Sequence, residues 1–202
     1  MNKQIYISAD YSALNGDRDV VEELHAWGKD SRHKVNYIDT ATVVSGSVSR
    51  DPDCRPCDLK EEFNRQINVS SAVIFVVGDK TKDRIAGSSC KRIERGCYCT
   101  CTPYKQNANG MDFCNRSRDV SFMFGSDLDC INNLSYIEHE FLESVKRKKN
   151  IIIVYNSLNR QPAWLPSYMR SYEIFAHPFW KKDAWGSKVG DYQYIKKALG
   201  YV

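Results

Sequence analysis

The sequence predicts an α/β fold, a doubly wound parallel sheet, and three observations carry that expectation. Short apolar runs at 5–8 (IYIS), 72–77 (AVIFVV) and 151–154 (IIIV) read as strands, and the last two are apolar throughout, as in strands buried on both faces. Between them lie stretches with apolar residues at helical spacing. Strand and helix patterns alternate up to residue 81 and again from 134, which is the signature of repeated βα units.

Taken in order, the first strand at 5–8 runs into ADYSALNGDRD, a loop rich in Asp, Ser, Asn and Gly. Asp17 stands where it can cap a helix carrying Val20, Val21, Leu24 and Trp27, and Gly28 weakens that helix near its end. The second strand is expected at 35–38, followed by Asp39 and Thr40. From 42 to 58 the chain turns to Ser, Gly, Asp and Pro and reads as a long surface loop; Leu59, Phe63, Gln66 and Ile67 then give a short helix. The third strand, 72–77, ends in Gly78-Asp79-Lys80-Thr81. Near the C-terminus, 171–176 suits an edge strand, and 191–199 a closing helix with Tyr194, Ile195 and Leu199 on one side. Right-handed crossovers make such a chain a flavodoxin-like sandwich, whose ligands bind beyond the C-terminal strand ends.

With 202 residues, 42% hydrophobic and 27% charged, the chain suits one domain over 1–202 with a sizeable core. No apolar run approaches the roughly 20 residues that span a bilayer, so no membrane partner is expected. The N-terminus enters a strand at once without a signal-peptide apolar region, which makes the cytoplasm the expected location. A net charge of +4 is too small to argue for nucleic acid, and the basic run 146–149 (KRKK) suits a solvated helix end. The loops after the strands hold neither G-x-G-x-x-G nor a Walker motif, so dinucleotide or triphosphate cradling of the ordinary kinds is not supported. A phospho-receiver domain fits poorly too, because Asp10 stands alone among Ser8, Ala9 and Tyr11 where paired acids would be needed.

The alternation is interrupted by 82–133, far longer than an ordinary connection, an inserted loop or subdomain that holds six of the eight cysteines. Cys54 and Cys57 form one CxxC, while Cys97, Cys99 and Cys101 alternate in CYCTC. Structural zinc usually shows two paired knuckles, so unligated thiols and no bound metal are expected, with a zinc-stabilised binding domain as the competing possibility. Leaving the third strand and returning into the next helix, the insertion is either a lid over a cleft or a surface or subunit contact.

The central stretch is 134–155, LSYIEHEFLESVKRKKNIIIVY. Ser135 with Glu138 forms a capping-box pattern, Ile137, Phe141 and Val145 repeat at helical spacing, and Arg147, Lys148 and Lys149 suit the negative end of the dipole. At about 100° per residue Glu140 falls about 60° from Ile137, at the border of that apolar face. A carboxylate there is either a snorkelling edge residue or the working group of a cleft.

The succession IYISADY, KVNYID, a long loop, SAVIFVVGDKT and SYIEHEFLESVKRKKNIIIVY resembles a TIR domain, most nearly the stand-alone bacterial proteins of the Thoeris antiphage type. The resemblance covers nearly all of the chain except 82–133. In that family an aromatic residue four positions before a glutamate marks the active helix; Tyr136 and Glu140 take those places, with Tyr where the family usually has Trp. The resemblance implies an NAD nucleosidase or ADP-ribosyl cyclase-like hydrolase that breaks the nicotinamide–ribose bond, with NAD as substrate and no cofactor. It implies Glu140 as the catalytic group and a cyclic or transferred ADP-ribose messenger. Self-assembly through TIR–TIR contacts and a separate effector that senses the product are implied as well. Ser8, Asp10 and Tyr11 at the first strand end and Asp39 at the second are candidates to hold ribose and diphosphate, with Tyr136 stacking. The alternative is a catalytically silent TIR interaction module.

Overall fold

The computed structural model describes residues 3–12, 16–30, 35–39, 55–84 and 135–201, and the side chains of 55–58, 60 and 61 are outside the description. Four parallel strands build the body of the sheet: β1 (Lys3–Ser8), β2 (Val35–Asp39), β3 (Ala72–Val77) and β4 (Asn150–Tyr155), with a two-residue edge strand β5 (His177–Pro178). All pairings in it are parallel and the order is β2-β1-β3-β4-β5. This is the strand order of the flavodoxin-like, doubly wound α/β sheets, and its switch point lies between β1 and β3.

Two core layers cover the sheet. On one face α1 (Arg18–Gly28) and α4 (Tyr192–Ala198) bury Val20, Val21, Leu24 and Ile195 against Ile5, Ile7, Ile74 and Val154. On the other, α2 (Arg55–Val69) and α3 (Tyr136–Lys146) bring Ile67, Ile137 and Phe141 against Tyr6, Val73, Phe75 and Ile153. Alternate residues of one strand therefore serve opposite faces, as the pleat requires. The six residues of β3 are buried without exception, as the AVIFVV run predicts.

Several local expectations change. The helix expected around 59–67 runs from Arg55 to Val69, so the polar stretch before it is helical by Arg55. The 171–176 segment is not a strand. It belongs to a 3-10 helix, Ser167–Phe175, and the edge position passes to His177 and Pro178. Met169, one turn into that helix, is fully buried, so the segment is held by packing rather than by a ladder. A small antiparallel hairpin, β6 (Trp180–Lys182) and β7 (Lys188–Gly190), follows, joined by the Gly-containing loop 183–187.

Asp17 does take the N-cap position of α1, but its side chain makes no capping bond. The closing helix forms as expected, capped by Asp191, whose carboxylate accepts from the backbone N–H of Tyr194. Among the described residues no helix is long and apolar enough to cross a membrane. The expectations for the insertion 82–133 beyond Arg84, and those for the eight cysteines, lie outside the described residues and side chains.

Candidate functional site

Ser135 starts α3 as its sequence predicts: its Oγ accepts from the backbone N–H of Glu138 at 3.0 Å. The face that α3 buries is not the one its apolar spacing implies. Val145 is 41% exposed, whereas His139, Glu140, Glu143 and Ser144 are buried beside Ile137 and Phe141. At about 100° per residue, Glu140 lies near the middle of that arc, not at its border. The cause is α2, which packs beside α3 and turns a second flank of it inward. There His139 Nε2 meets Asn64 Oδ1 of α2 at 3.0 Å.

Glu140 is 2% exposed, and β1 supplies a hydroxyl to each of its oxygens. The Tyr6 phenol donates to Oε1 at 2.5 Å, and the Ser8 hydroxyl donates to Oε2. Tyr6 and Ser8 are two residues apart on the innermost part of the sheet, so they share the face that α3 covers. Burial, then the charge of Glu140 and the hydrogen bond to it, hold the Tyr6 phenol well above its usual pKa, so it remains a donor. The backbone carbonyl of Glu140 accepts from Ser144 Oγ at 2.7 Å, which steadies the turn below.

The aromatic residues of α3 on either side of Glu140 in sequence pack on rings from other elements. Tyr136, one turn before it, sets its ring edge-on to Phe63 at 5.7 Å. Phe141 lies between Phe75 at 5.4 Å and Tyr168 at 5.7 Å. Burial pushes the Tyr168 phenol up, with the Ser135 hydroxyl opposing and the charges of Glu138 and Glu140 adding. The result is a buried carboxyl group against the C-terminal half of β1, beside the switch point.

The other candidates are placed as follows. Asp10, just past β1, accepts from the Ser12 backbone N–H at 2.9 Å and pairs with Arg84 Nε at 2.6 Å, so it ties the loops after β1 and β3 together. Tyr11 packs against the α1 face of the core. Asp39 is buried and lies 2.5 Å from His25 Nε2 of α1, on the sheet face opposite Glu140, because it shares the parity of Val35 and Tyr37. The fold thus brings Ser8 to Glu140, leaves Tyr136 one turn earlier on α3 against Phe63, and sends the Asp39 side chain to the other layer. Sequence reasoning missed Tyr6. The signal was present in IYIS, where the two hydroxyl residues alternate with the two isoleucines.

A second buried acid lies at the same edge. Asp17 is 3% exposed and accepts from Asn156 Nδ2 at 3.0 Å, and its backbone N–H donates to the Asp10 carbonyl at 2.7 Å. Burial raises its pKa to about 7, opposed by the Asn156 bond and assisted by the charges of Asp10 and Asp19. Among the described residues no cluster of His, Cys, Asp and Glu has the arrangement of a metal site.

The fold and these side chains define a class: a doubly wound α/β protein with a hydroxyl-held carboxylate at the carboxyl ends of its strands. No protein-family model matches the chain, and no curated protein matches it.

Proposed function

We propose that this chain is a TIR-like NAD-consuming enzyme that breaks the nicotinamide–ribose bond, with Glu140 as the catalytic group. One observation carries the proposal. Glu140 is buried at the carboxyl end of β1, with a neutral hydroxyl on each oxygen. It also stands one turn after the aromatic Tyr136, as the resemblance to TIR enzymes requires.

The chemistry needs little more. Cleavage of an N-glycosidic bond passes through a state in which the ribose carries positive charge, as in glycosidases. A carboxylate in a low-dielectric, ring-lined place stabilises that charge far more than one in water. Nicotinamide departs as a neutral molecule, so no strong general acid is required. Tyr136 and its neighbours suit the flat faces of nicotinamide and adenine, and the Ser8 oxygen, whose hydrogen goes to Glu140, would accept from a ribose hydroxyl. Water exclusion by the surrounding chain would favour cyclisation or transfer of the ADP-ribose over hydrolysis. That gives the signalling role: a nucleotide messenger in cytoplasmic antiphage defence, made by self-assembled copies and sensed by a separate effector.

The test is nicotinamide release from NAD by the purified protein, followed by chromatography. Wild type is expected to release it, and Glu140→Gln to lose about two to three orders of magnitude in rate while keeping its fold. Equal rates in two equally folded proteins would remove Glu140 from the chemistry. A second reading has its own observation. A carboxylate that is 2% exposed with both oxygens bonded also describes a tie between α3 and β1 in a catalytically silent interaction module. Under that reading no nicotinamide appears, and Glu140→Gln costs stability.

A further inference from the structure

We infer that Tyr6 is a positioning residue for Glu140, acting with Ser8 to fix the plane and the charge of its carboxylate; this rests on the reading of Glu140 as the catalytic group. Tyr6 is fully buried in β1, an inner strand, with Ile38 of β2 and Val73 of β3 as its partners in register. The neighbouring strand positions are filled by aliphatic residues and Phe75. A hydroxyl in that layer costs stability unless it is bonded. Its bond goes to Glu140 Oε1 at 2.5 Å, and Ser8 on the same face bonds the other oxygen, so the carboxylate satisfies both hydroxyls of β1.

The choice of donor is informative. A lysine or arginine in the place of Tyr6 would also hold the carboxylate, but it would cancel the negative charge that a developing ribosyl cation needs. A phenol and a serine hydroxyl favour the ionised form by hydrogen bonding and leave its net charge in place. Two donors on two oxygens also prevent rotation about the carboxyl bond, which one donor would allow. Ionisable groups that bear electrostatically on this pair include Tyr11 after β1, Asp39 at the end of β2 and Tyr168 of the 3-10 helix. From α2, the packed helix, Phe63 faces Tyr136 and Asn64 faces His139.

The experiment compares wild type with Tyr6→Phe, Ser8→Ala and Glu140→Gln by two readouts. In nicotinamide release, Tyr6→Phe is expected to lower kcat about ten- to a hundredfold, with KM for NAD changed less than about threefold. The acid limb of its kcat profile should move to higher pH, because a lost hydrogen bond disfavours the charged carboxylate. The second readout is independent of activity. In a carbon-13 NMR titration of glutamate carboxyls, the signal absent from Glu140→Gln is assigned to Glu140. Its midpoint should rise in Tyr6→Phe. If Tyr6→Phe does not fold, Ser8→Ala reads the same displacement through the other oxygen. A moved midpoint without nicotinamide release in any protein would keep the positioning role and discard the NAD reading. An unmoved midpoint with an unmoved acid limb, in folded variants, would overturn the inference.

Discussion

Glu140 and Asp17 are both acids, both almost wholly buried, and both at the carboxyl edge of the sheet, yet they lie in surroundings of opposite kind. Glu140, on the α2–α3 face, receives one hydroxyl on each oxygen. Asp17, at the start of α1, receives the Asn156 amide and lies among the like charges of Asp10 and Asp19. Those two neighbours have their own cations, Arg84 for Asp10 and Lys188 for Asp19, so the repulsion they exert is partly screened. Burial is common to both acids and therefore does not distinguish them. What differs is the number and kind of donors aimed at the charge. Asp191 extends the comparison. It is 19% exposed in its side chain, burial pushes its pKa up, and Lys181, the Tyr194 N–H and His177 together bring it below the ordinary carboxylate range.

The largest effect expected on the Asp17 side comes from crowding. A Cβ on Gly78 would lie 2.4 Å from Asp17 Oδ1, and Asp17 is held by Asn156 and by its own burial. Gly78→Ala should therefore destabilise by about 3 kcal/mol in denaturant unfolding. In an Asp17→Ala background that extra cost should largely vanish, since the clashing atoms are gone. A cost that persists would mean the strain at Gly78 is not with Asp17.

The next effect is of opposite sign. A pKa raised from 3.8 to about 7 means the folded protein keeps a proton that the unfolded chain releases. Stability linked to Asp17 is then complete below about pH 4 and lost as pH rises to about 7, flat beyond. Asp17→Asn should remove that slope and stabilise the protein at pH 8 by about 2 kcal/mol. The full shift would imply more, but the positive end of α1 offsets part of it. Unfolding midpoints measured between pH 4 and 8 check this; parallel curves for the two proteins would show that Asp17 is ionised throughout.

The smallest effect belongs to Asp191. Its lowered pKa gives stability that is present above the unfolded value and lost as pH falls through the folded one. Asp191→Ala should cost about 1 kcal/mol at neutral pH, the usual worth of a helix cap, and less in acid, where the wild-type carboxylate is protonated as well. A cost independent of pH would assign the effect to the cap's shape and not to its charge.

The sequence by itself determined the layers of this protein. Runs of β-branched residues bury themselves on both faces wherever they fall, so AVIFVV and NIIIVY could become little other than inner strands of a parallel sheet. The start of α3 was equally legible, because a Ser three residues before a Glu satisfies a local demand of the helix end. Only the tertiary structure decided which face of α3 turned inward. Apolar spacing pointed to Ile137, Phe141 and Val145, but α2 claims the flank bearing His139 and Glu143, and the buried arc swings until Glu140 is near its centre. The partnership of Tyr6 with Glu140 spans 134 residues of sequence and depends on β1 lying inside the sheet, between β2 and β3. No local pattern encodes it. Periodicity reports what one segment prefers to bury, whereas the donors around a buried charge are chosen by how separate segments come to rest against one another.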